Sequence, residues 1–156
     1  MPCFPTLDAL LFCEFHPVQG PRITWQLPQD VVSVDVFEAL SEFLIPKPQL
    51  CGRLITWLGT SHINYASAHS LYSKYQRWTI MGFPVSIEDK KYERNAYLFN
   101  CAFVFENLNE SPSCYELVVQ KLAHSLRTLE VYLPTEAAEL SPYSSVIDRD
   151  CLCFQR

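Results

Sequence analysis

Apolar side chains recur along this chain in short groups whose period changes from one segment to the next. The first group, at 10–15, is followed by a segment with two prolines and a glycine, 16–21, and then by alternating polar and apolar residues at 22–26. Alternation of this kind places every second side chain on one face of a strand. The two segments therefore predict a β-hairpin with one buried face.

The next apolar group has the spacing of an amphipathic helix, with its apolar side chains gathered on one side. Ser33 is expected to cap the start of this helix, and Pro46 is expected to stop it because proline lacks the amide proton that a helix interior needs. The apolar members of the group are Val36, Phe37, Leu40, Phe43 and Leu44.

A second helix is predicted from about Pro112, with a capping box of Ser113 and Glu116 as the alternative start. Pro134 is expected to end it. Beyond this proline the apolar period is lost, and residues 135–156 are expected to form a poorly ordered tail. The expected apolar stripe of the helix consists of Leu117, Val118, Leu122, Leu126 and Leu129.

Three more segments, 50–58, 79–87 and 97–105, are rich in apolar and β-branched residues and predict strands. The stretch 59–77 is rich in serine, tyrosine and histidine without a clear period, which predicts an exposed insertion or long loop. The order of strand, strand, helix, three strands and helix predicts an α+β fold, in which helices cover a five-stranded antiparallel sheet.

The composition narrows the class of protein. A chain of 156 residues with 49% hydrophobic residues is expected to form one compact domain. Its longest apolar run, 9–13, is far shorter than the roughly 18 residues that can cross a bilayer, and residues 1–8 lack the basic start of a secretory signal. A cytosolic protein is expected.

The net charge and the spacing of the cysteines argue against nucleic-acid-binding and zinc-binding proteins. A net charge of −5 gives no attraction for phosphate backbones or anionic lipid, so nucleic acid is not an expected partner. Seven cysteines occur without a CxxC pair, which argues against a zinc site. Cys13, Cys51 and Cys101 lie within apolar runs and are expected to act as small buried hydrophobic residues. No cofactor or metal is predicted.

The sequence has no GxSxG, GxxxxGK[ST], GxGxxG or HExxH motif, so a self-sufficient enzyme is not expected. Its most unusual segment is 88–95, where three acidic and three basic residues lie between two predicted strands. From this segment Arg94 could reach a partner's phosphate site, because a planar guanidinium can neutralise charge on a transferring phosphoryl group. From residue types alone, a solvated hairpin tip is the alternative.

Six sequence blocks, taken together, resemble the nitrogen permease regulator 2 family and occur in that family's order. They are FHPxxGPxI at 15–23, IPKPxLC at 45–51, LIT at 54–56, GxPVxI at 82–87, KYxRNAxxFN at 91–100 and FV at 103–104. The resemblance covers roughly residues 9–130 apart from 59–77. It implies a longin-type domain over residues 1–134, with a loop insertion at about 59–77 and a divergent tail at 135–156.

The resemblance also implies partners and an activity. Family members pair through longin domains with a nitrogen permease regulator 3-like subunit and join a DEPDC-type subunit in the GATOR or SEACIT complex. The complex activates GTP hydrolysis by a Rag-family GTPase at the lysosomal or vacuolar surface. It thereby restrains target-of-rapamycin kinase signalling on amino-acid starvation. The implied location is cytoplasmic and peripheral at that membrane, without direct insertion.

In the family the KYxRN motif supplies an arginine finger, an arginine given in trans to the GTPase, and here that position is Arg94. Lys90, Lys91, Tyr92 and Asn95 are expected to contact the GTPase or to position the loop. The chain would then be a regulatory subunit without its own active site. Two other possibilities stay open because the match ends near Val131: a non-catalytic longin adaptor, and a truncated fragment that only binds the sister subunit.

Overall fold

Six strands and two α-helices make up the part of the chain that the computed structural model describes, residues 5–67, 70–106 and 112–132. Short 3₁₀ helices at Pro48–Leu50 and Ser113–Tyr115 precede the third strand and the second helix. The elements are β1 Ala9–His16, β2 Gly20–Leu27, α1 Val34–Leu44, β3 Ile55–Ser67, β4 Ser70–Gly82, β5 Val85–Glu88, β6 Ala96–Glu106 and α2 Glu116–Tyr132.

The strands form one antiparallel sheet in the order β2-β1-β6-β4-β3, and β5 also pairs with β6. Ile80 of β4 lies opposite Val104, and Ile87 of β5 lies opposite Tyr97. β4 and β5 therefore follow one another along a single edge of β6. The predicted α+β class and antiparallel sheet are confirmed, but the described sheet has six strands instead of five.

The two helices cover opposite faces of this sheet. Leu11 of β1 lies in the apolar cluster that contains Leu40 of α1, whereas its neighbour Phe12 lies in the cluster that contains Val119 of α2. Neighbouring residues of a strand point to opposite faces, so the two clusters are separated by the sheet. Each fully buried side chain of this kind contributes roughly 1.5–3 kcal/mol to holding a helix in place.

α1 begins and ends as the sequence predicts. The Ser33 hydroxyl accepts a hydrogen bond from the Val36 amide at 3.4 Å, and the helix ends at Leu44, before Pro46. The hydroxyl satisfies one of the amides that have no partner in the first turn. Of the predicted apolar face, Phe37, Leu40 and Leu44 are buried, and Val36 and Phe43 pack against them.

The stripe predicted on α2 is only partly correct. Leu122 and Leu126 pack against the sheet, but Leu117, Val118 and Leu129 are 59%, 50% and 52% exposed. Leucine is a good helix former whether or not it is buried, so the leucine pattern did not identify the buried face. That face consists of Val119, Leu122, Ala123 and Leu126.

The start of α2 also differs from the alternative proposed for it. The 3₁₀ turn that leads into the helix has Pro112 as its N-cap and includes Ser113, so Ser113 does not occupy the N-cap position that the proposed capping box requires. Pro134 and the tail 135–156 lie outside the described residues.

Within the stretch 59–77, predicted to be a loop insertion, residues 59–67 belong to β3 and residues 70–77 belong to β4. Ile55 lies opposite Gly82, and the pairing continues without a shift to Ser67 opposite Ser70. Backbone pairing in a long hairpin does not need an alternating apolar pattern, so the missing period was misleading. The strand predicted at 50–58 begins later, at Ile55, because Pro48 opens a 3₁₀ turn.

The strand predicted at 79–87 is interrupted at Phe83 and Pro84, since proline has no amide proton for the sheet. Asn100 bridges the break from the middle of β6. Its buried side chain accepts a hydrogen bond from the Phe83 amide at 3.1 Å and donates one to the Leu44 carbonyl at 2.9 Å. One amide thus joins the sheet to the end of α1. Gly82 beside it leaves room, because a Cβ there would lie 2.6 Å from the Asn100 amide.

Two of the three cysteines expected to be buried are buried. Burial raises the pKa of the Cys101 thiol to about 12. Burial, reinforced by the nearby Cys101, also raises the pKa of Cys13. Cys51 is only half-buried, and its pKa is raised by the same cause. Cys13 and Cys101 are therefore inert apolar side chains at neutral pH.

Two global features of the described residues complete the fold. Neither helix is long and apolar enough to cross a bilayer. Among the described residues, no cluster of histidine, cysteine and acidic side chains could hold a metal ion.

Candidate functional site

The charged segment singled out in the sequence is the β5–β6 loop, residues 89–95. Its backbone closes on itself: the Asp89 amide donates to the Asn95 carbonyl at 3.1 Å, the Tyr92 amide to the Asp89 carbonyl at 3.2 Å and the Asn95 amide to the Tyr92 carbonyl at 2.8 Å. The Asp89 carboxylate also accepts from the Lys91 amide at 2.9 Å. The loop is therefore a folded turn with a defined conformation.

Asn95 occupies the one left-handed position of this turn, with φ of 55°. Asparagine tolerates that conformation better than most residues other than glycine. Its carbonyl accepts the bond that closes the loop. The structure therefore gives Asn95 a conformational role, whatever contacts its side chain makes with a partner.

One side of the loop is attached to the last turn of α2. The Tyr92 hydroxyl donates to the Glu130 carboxylate at 2.7 Å. The Lys91 ammonium donates to the Glu130 carbonyl at 3.1 Å and lies 3.9 Å from its carboxylate. The ring of Tyr92 stacks on that of Tyr97, with centroids 5.4 Å apart. Lys91 and Tyr92 are thus both engaged within the domain.

Tyr97 continues the attachment into the sheet. Its hydroxyl donates to the carboxylate of Glu14 at 2.8 Å, and Glu14 also accepts from Arg22. The Glu14 carboxylate is buried in the middle of β1, where a charge is tolerated only with a cationic partner. Arg22 is thus paired with Glu14 within the domain.

The other side of the loop presents Arg94. Its guanidinium donates to the Pro17 carbonyl at 2.9 Å and lies 5.0 Å from the centre of the Phe15 ring. No carboxylate of the described residues forms a salt bridge with it. Arg94 is exposed, and its charge is held by a neutral carbonyl and a ring face. Its charge is therefore available to an anionic partner.

The turn that receives Arg94 is itself fixed. The Nδ1 atom of His16 accepts hydrogen bonds from the amides of Val18 and Gln19, at 3.3 and 3.2 Å. These bonds hold the chain between β1 and β2 so that the Pro17 carbonyl faces the β5–β6 loop. Arg94 thus rests on a defined surface.

A cleft of about 290 Å³ lies beside Arg94. Its walls come from three separate parts of the sequence: the end of β1, the segment after α1 and the start of β6. Most of the lining is apolar, and Lys47 and Arg94 are its cations. The lining residues are Phe15, Ile45, Pro46, Lys47, Pro48, Arg94, Ala96 and Leu98.

Comparison with known proteins decides the family. The family model described as nitrogen permease regulator 2 matches residues 5–141. This chain belongs to the nitrogen permease regulator 2 family. The resemblance inferred from the six sequence blocks is therefore confirmed.

Curated relatives of the family are similar over most of this chain. The nitrogen permease regulator 2 homolog of Schizosaccharomyces pombe is 36% identical over 134 residues, covering 81% of this chain and 29% of that protein. The GATOR complex protein NPRL2 of Drosophila melanogaster is 35% identical over 80% of this chain and 26% of that protein. Nitrogen permease regulator 2 of Saccharomyces cerevisiae is 30% identical over 81% of this chain and 18% of that protein. The chain thus spans less than a third of the length of these relatives.

Three of the family-type blocks meet at the cleft: Phe15 and Pro17 from FHPxxGPxI, residues 45–48 from IPKPxLC, and Arg94 from KYxRNAxxFN. Sequence reasoning identified each block but did not predict that they meet. Pro17 lies 77 positions from Arg94 along the chain, Phe15 lies still further away, and no local pattern connects them to Arg94. Lys90 is exposed on the same loop. Of the predicted site residues, Lys91 and Tyr92 face α2, and only Arg94 lines the cleft.

Proposed function

We propose that this chain is a regulatory subunit of a GTPase-activating complex and supplies Arg94 in trans to a Rag-family GTPase. The observation that carries the proposal is the state of Arg94. It is exposed, its charge has no salt-bridge partner among the described residues, and the loop beneath it is closed by backbone hydrogen bonds. Those are the properties that a finger needs before it meets a nucleotide.

In this proposal Arg94 acts electrostatically, by stabilising negative charge in the transition state of GTP hydrolysis. During transfer of the γ-phosphoryl group, negative charge spreads over its oxygens, and a guanidinium fork can donate to two of them at once. An arginine finger supplied by an activator accelerates hydrolysis by about 10³- to 10⁵-fold. The chain needs no active site of its own, because the nucleotide and metal belong to the GTPase.

The assembly belongs to the same proposal. The Drosophila relative is named as a GATOR complex protein. By family membership we assign this chain to a GATOR or SEACIT complex with a nitrogen permease regulator 3-like subunit and a DEPDC-type subunit. Acting at the lysosomal or vacuolar surface, it would restrain target-of-rapamycin kinase signalling when amino acids are scarce. The proposed contact between the two sister subunits is a longin–longin heterodimer.

The experiment is single-turnover GTP hydrolysis by a Rag heterodimer, with this chain and its sister subunit. Arg94→Ala is expected to remove the acceleration, and Arg94→Lys to restore little of it, because lysine lacks the planar fork. Both variants should still assemble with the sister subunit in size-exclusion chromatography. Arg53→Ala, at an exposed arginine outside the loop, is the matched control. Acceleration that survives Arg94→Ala would overturn the proposal.

A second candidate is a non-catalytic adaptor, or a fragment that only binds the sister subunit. The contacts of Arg94 with Pro17 and Phe15 favour it, since they also suit an arginine that merely joins two loops. This candidate predicts binding to the sister subunit or the GTPase without any change in hydrolysis. The same assay separates the two candidates, because only the first predicts a rate that depends on the guanidinium.

A further inference from the structure

We infer that Glu130, in the last turn of α2, is a positioning residue for Arg94 and acts through Tyr92 and Lys91. This inference rests on the proposed function of Arg94. It adds a residue outside the KYxRN motif and outside the loop. The contacts that carry it are the Tyr92 hydroxyl to the Glu130 carboxylate at 2.7 Å and the Lys91 ammonium to the Glu130 carbonyl at 3.1 Å.

The position of Glu130 is unfavourable for the helix that carries it. The carboxyl end of a helix carries partial negative charge, so an acidic residue in the last turn is repelled. The described part of α2 reaches Tyr132 and has no basic residue in its last turn. Glu130 nevertheless keeps its side chain only 13% exposed, beside Lys91. Its placement is explained by what it binds in the loop.

Lys91 contributes a second link of a different kind. Within a helix the Glu130 carbonyl would accept from the amide of residue 134, but that residue is a proline and has no amide proton. By donating to it, the Lys91 ammonium caps the helix and supplies the positive charge that this end prefers. The loop and the helix end thus stabilise each other.

Tyr92 transmits this attachment to Arg94 through the backbone. The Tyr92 amide donates to the Asp89 carbonyl, and the Tyr92 carbonyl accepts from the Asn95 amide at 2.8 Å. Arg94 lies inside the second of these two turns. Fixing the ring of Tyr92 between Tyr97 and Glu130 therefore fixes the direction from which Arg94 leaves the loop.

The first test measures the loop directly, by amide hydrogen exchange on the chain assembled with its sister subunit. Glu130→Ala should speed exchange of the Tyr92 and Asn95 amides at least roughly tenfold, the change expected when a hydrogen bond to a charged group is lost. Tyr92→Phe removes only the hydroxyl, leaves the ring to stack on Tyr97, and should reproduce the effect. Glu130→Gln retains an acceptor for the Tyr92 hydroxyl, so its amide exchange rates should stay close to those of the parent chain.

The second test measures hydrolysis. Glu130→Ala and Tyr92→Phe should each lower the maximal single-turnover rate by roughly tenfold, in the range that small misplacements of a reacting group produce. The concentration for half-maximal acceleration should not change, and Glu130→Gln should restore most of the rate. The double variant should be no slower than Glu130→Ala alone, because that change already removes the hydrogen bond of the Tyr92 hydroxyl. Gln120→Ala, on the exposed side of α2, is the control.

The two tests separate the inference from the proposed function. If Glu130→Ala leaves amide exchange in the loop unchanged, the role of Glu130 is overturned. The role is also overturned if exchange becomes faster but the maximal hydrolysis rate stays the same in a complex whose activity depends on Arg94. If Arg94→Ala leaves hydrolysis unaffected, the proposed function fails, and exchange alone decides whether Glu130 holds the loop. If Glu130→Ala does not fold, Tyr92→Phe tests the same hydrogen bond.

Discussion

The guanidinium of Arg94 donates a hydrogen bond to the carbonyl of Pro17 at 2.9 Å, joining two residues that lie 77 positions apart. The Phe15 ring lies on the same side, 5.0 Å from the guanidinium carbon. A finger held in this way has lost part of its side-chain freedom before any GTPase arrives. Ordering a long side chain in advance lowers the entropy lost on binding.

Phe15→Leu tests whether the contact between Arg94 and the Phe15 ring contributes to the hydrolysis rate. Leucine keeps an apolar contact but removes the ring face, so a cation–π interaction of about 0.5–1 kcal/mol is lost. The maximal hydrolysis rate should fall about two- to fivefold, while binding to the sister subunit stays unchanged. Val18→Ala, at a neighbouring side chain that is 83% exposed, should have no effect. An unchanged rate for Phe15→Leu would show that the ring only fills space.

The contact between Gly82 and Asn100 makes a prediction about stability. A Cβ at residue 82 would lie 2.6 Å from the Asn100 amide, whose bonds to Phe83 and Leu44 leave it little freedom to move. Gly82→Ala should therefore lower the free energy of unfolding in urea by about 1–3 kcal/mol. The double variant with Asn100→Ala removes the clash, so its loss should be smaller than the sum of the two single losses. Additive losses would contradict the proposed contact.

The sequence alone located most of the fold, because β2 and α1 carry clear periods and β1 and β6 are segments rich in apolar residues. Prediction from the sequence failed where the same type of residue is found both on buried and on exposed surfaces. Leu117 and Leu129 suit a buried helix face as well as an exposed one, and only the packing of α2 shows them to be exposed. The pairing of residues 59–67 with 70–77 was missed because it is fixed by backbone hydrogen bonds and the sequence shows no apolar alternation there.

For the site, the sequence supplied Arg94 but not its surroundings. The KYxRN block identified the arginine through a family resemblance. Pro17 and Glu130 lie far from the loop along the chain, and no local pattern connects either of them to Arg94. One signal was present in the sequence: an acidic residue near the end of a predicted helix is unfavourable unless something binds it. Contacts of this type follow from the topology and become visible only in three dimensions.

Asn95 offers a test that separates backbone conformation from side-chain contact. At its φ of 55°, a β-branched residue is strained, so Asn95→Val should lower the free energy of unfolding by about 1–2 kcal/mol. Asn95→Gly accepts the same conformation and should remain within about 0.5 kcal/mol of the parent. Both variants remove the amide. If Asn95→Gly weakens binding to the GTPase at unchanged stability, Asn95 contacts the partner as well as shaping the loop.

The buried thiols predict how stability depends on pH. Burial raises the pKa of Cys101 from 9.0 to about 12, so the folded chain keeps a proton that the unfolded chain releases. Stability from this group is complete below about pH 9 and decreases as the pH rises toward 12, because the unfolded state then binds fewer protons. Urea unfolding under reducing conditions should show a smaller loss between pH 8 and pH 10 for Cys101→Ala than for the parent. Cys114→Ala, at an exposed cysteine, should follow the parent. Equal pH slopes for all three proteins would mean that Cys101 ionises in the folded chain as readily as in the unfolded one.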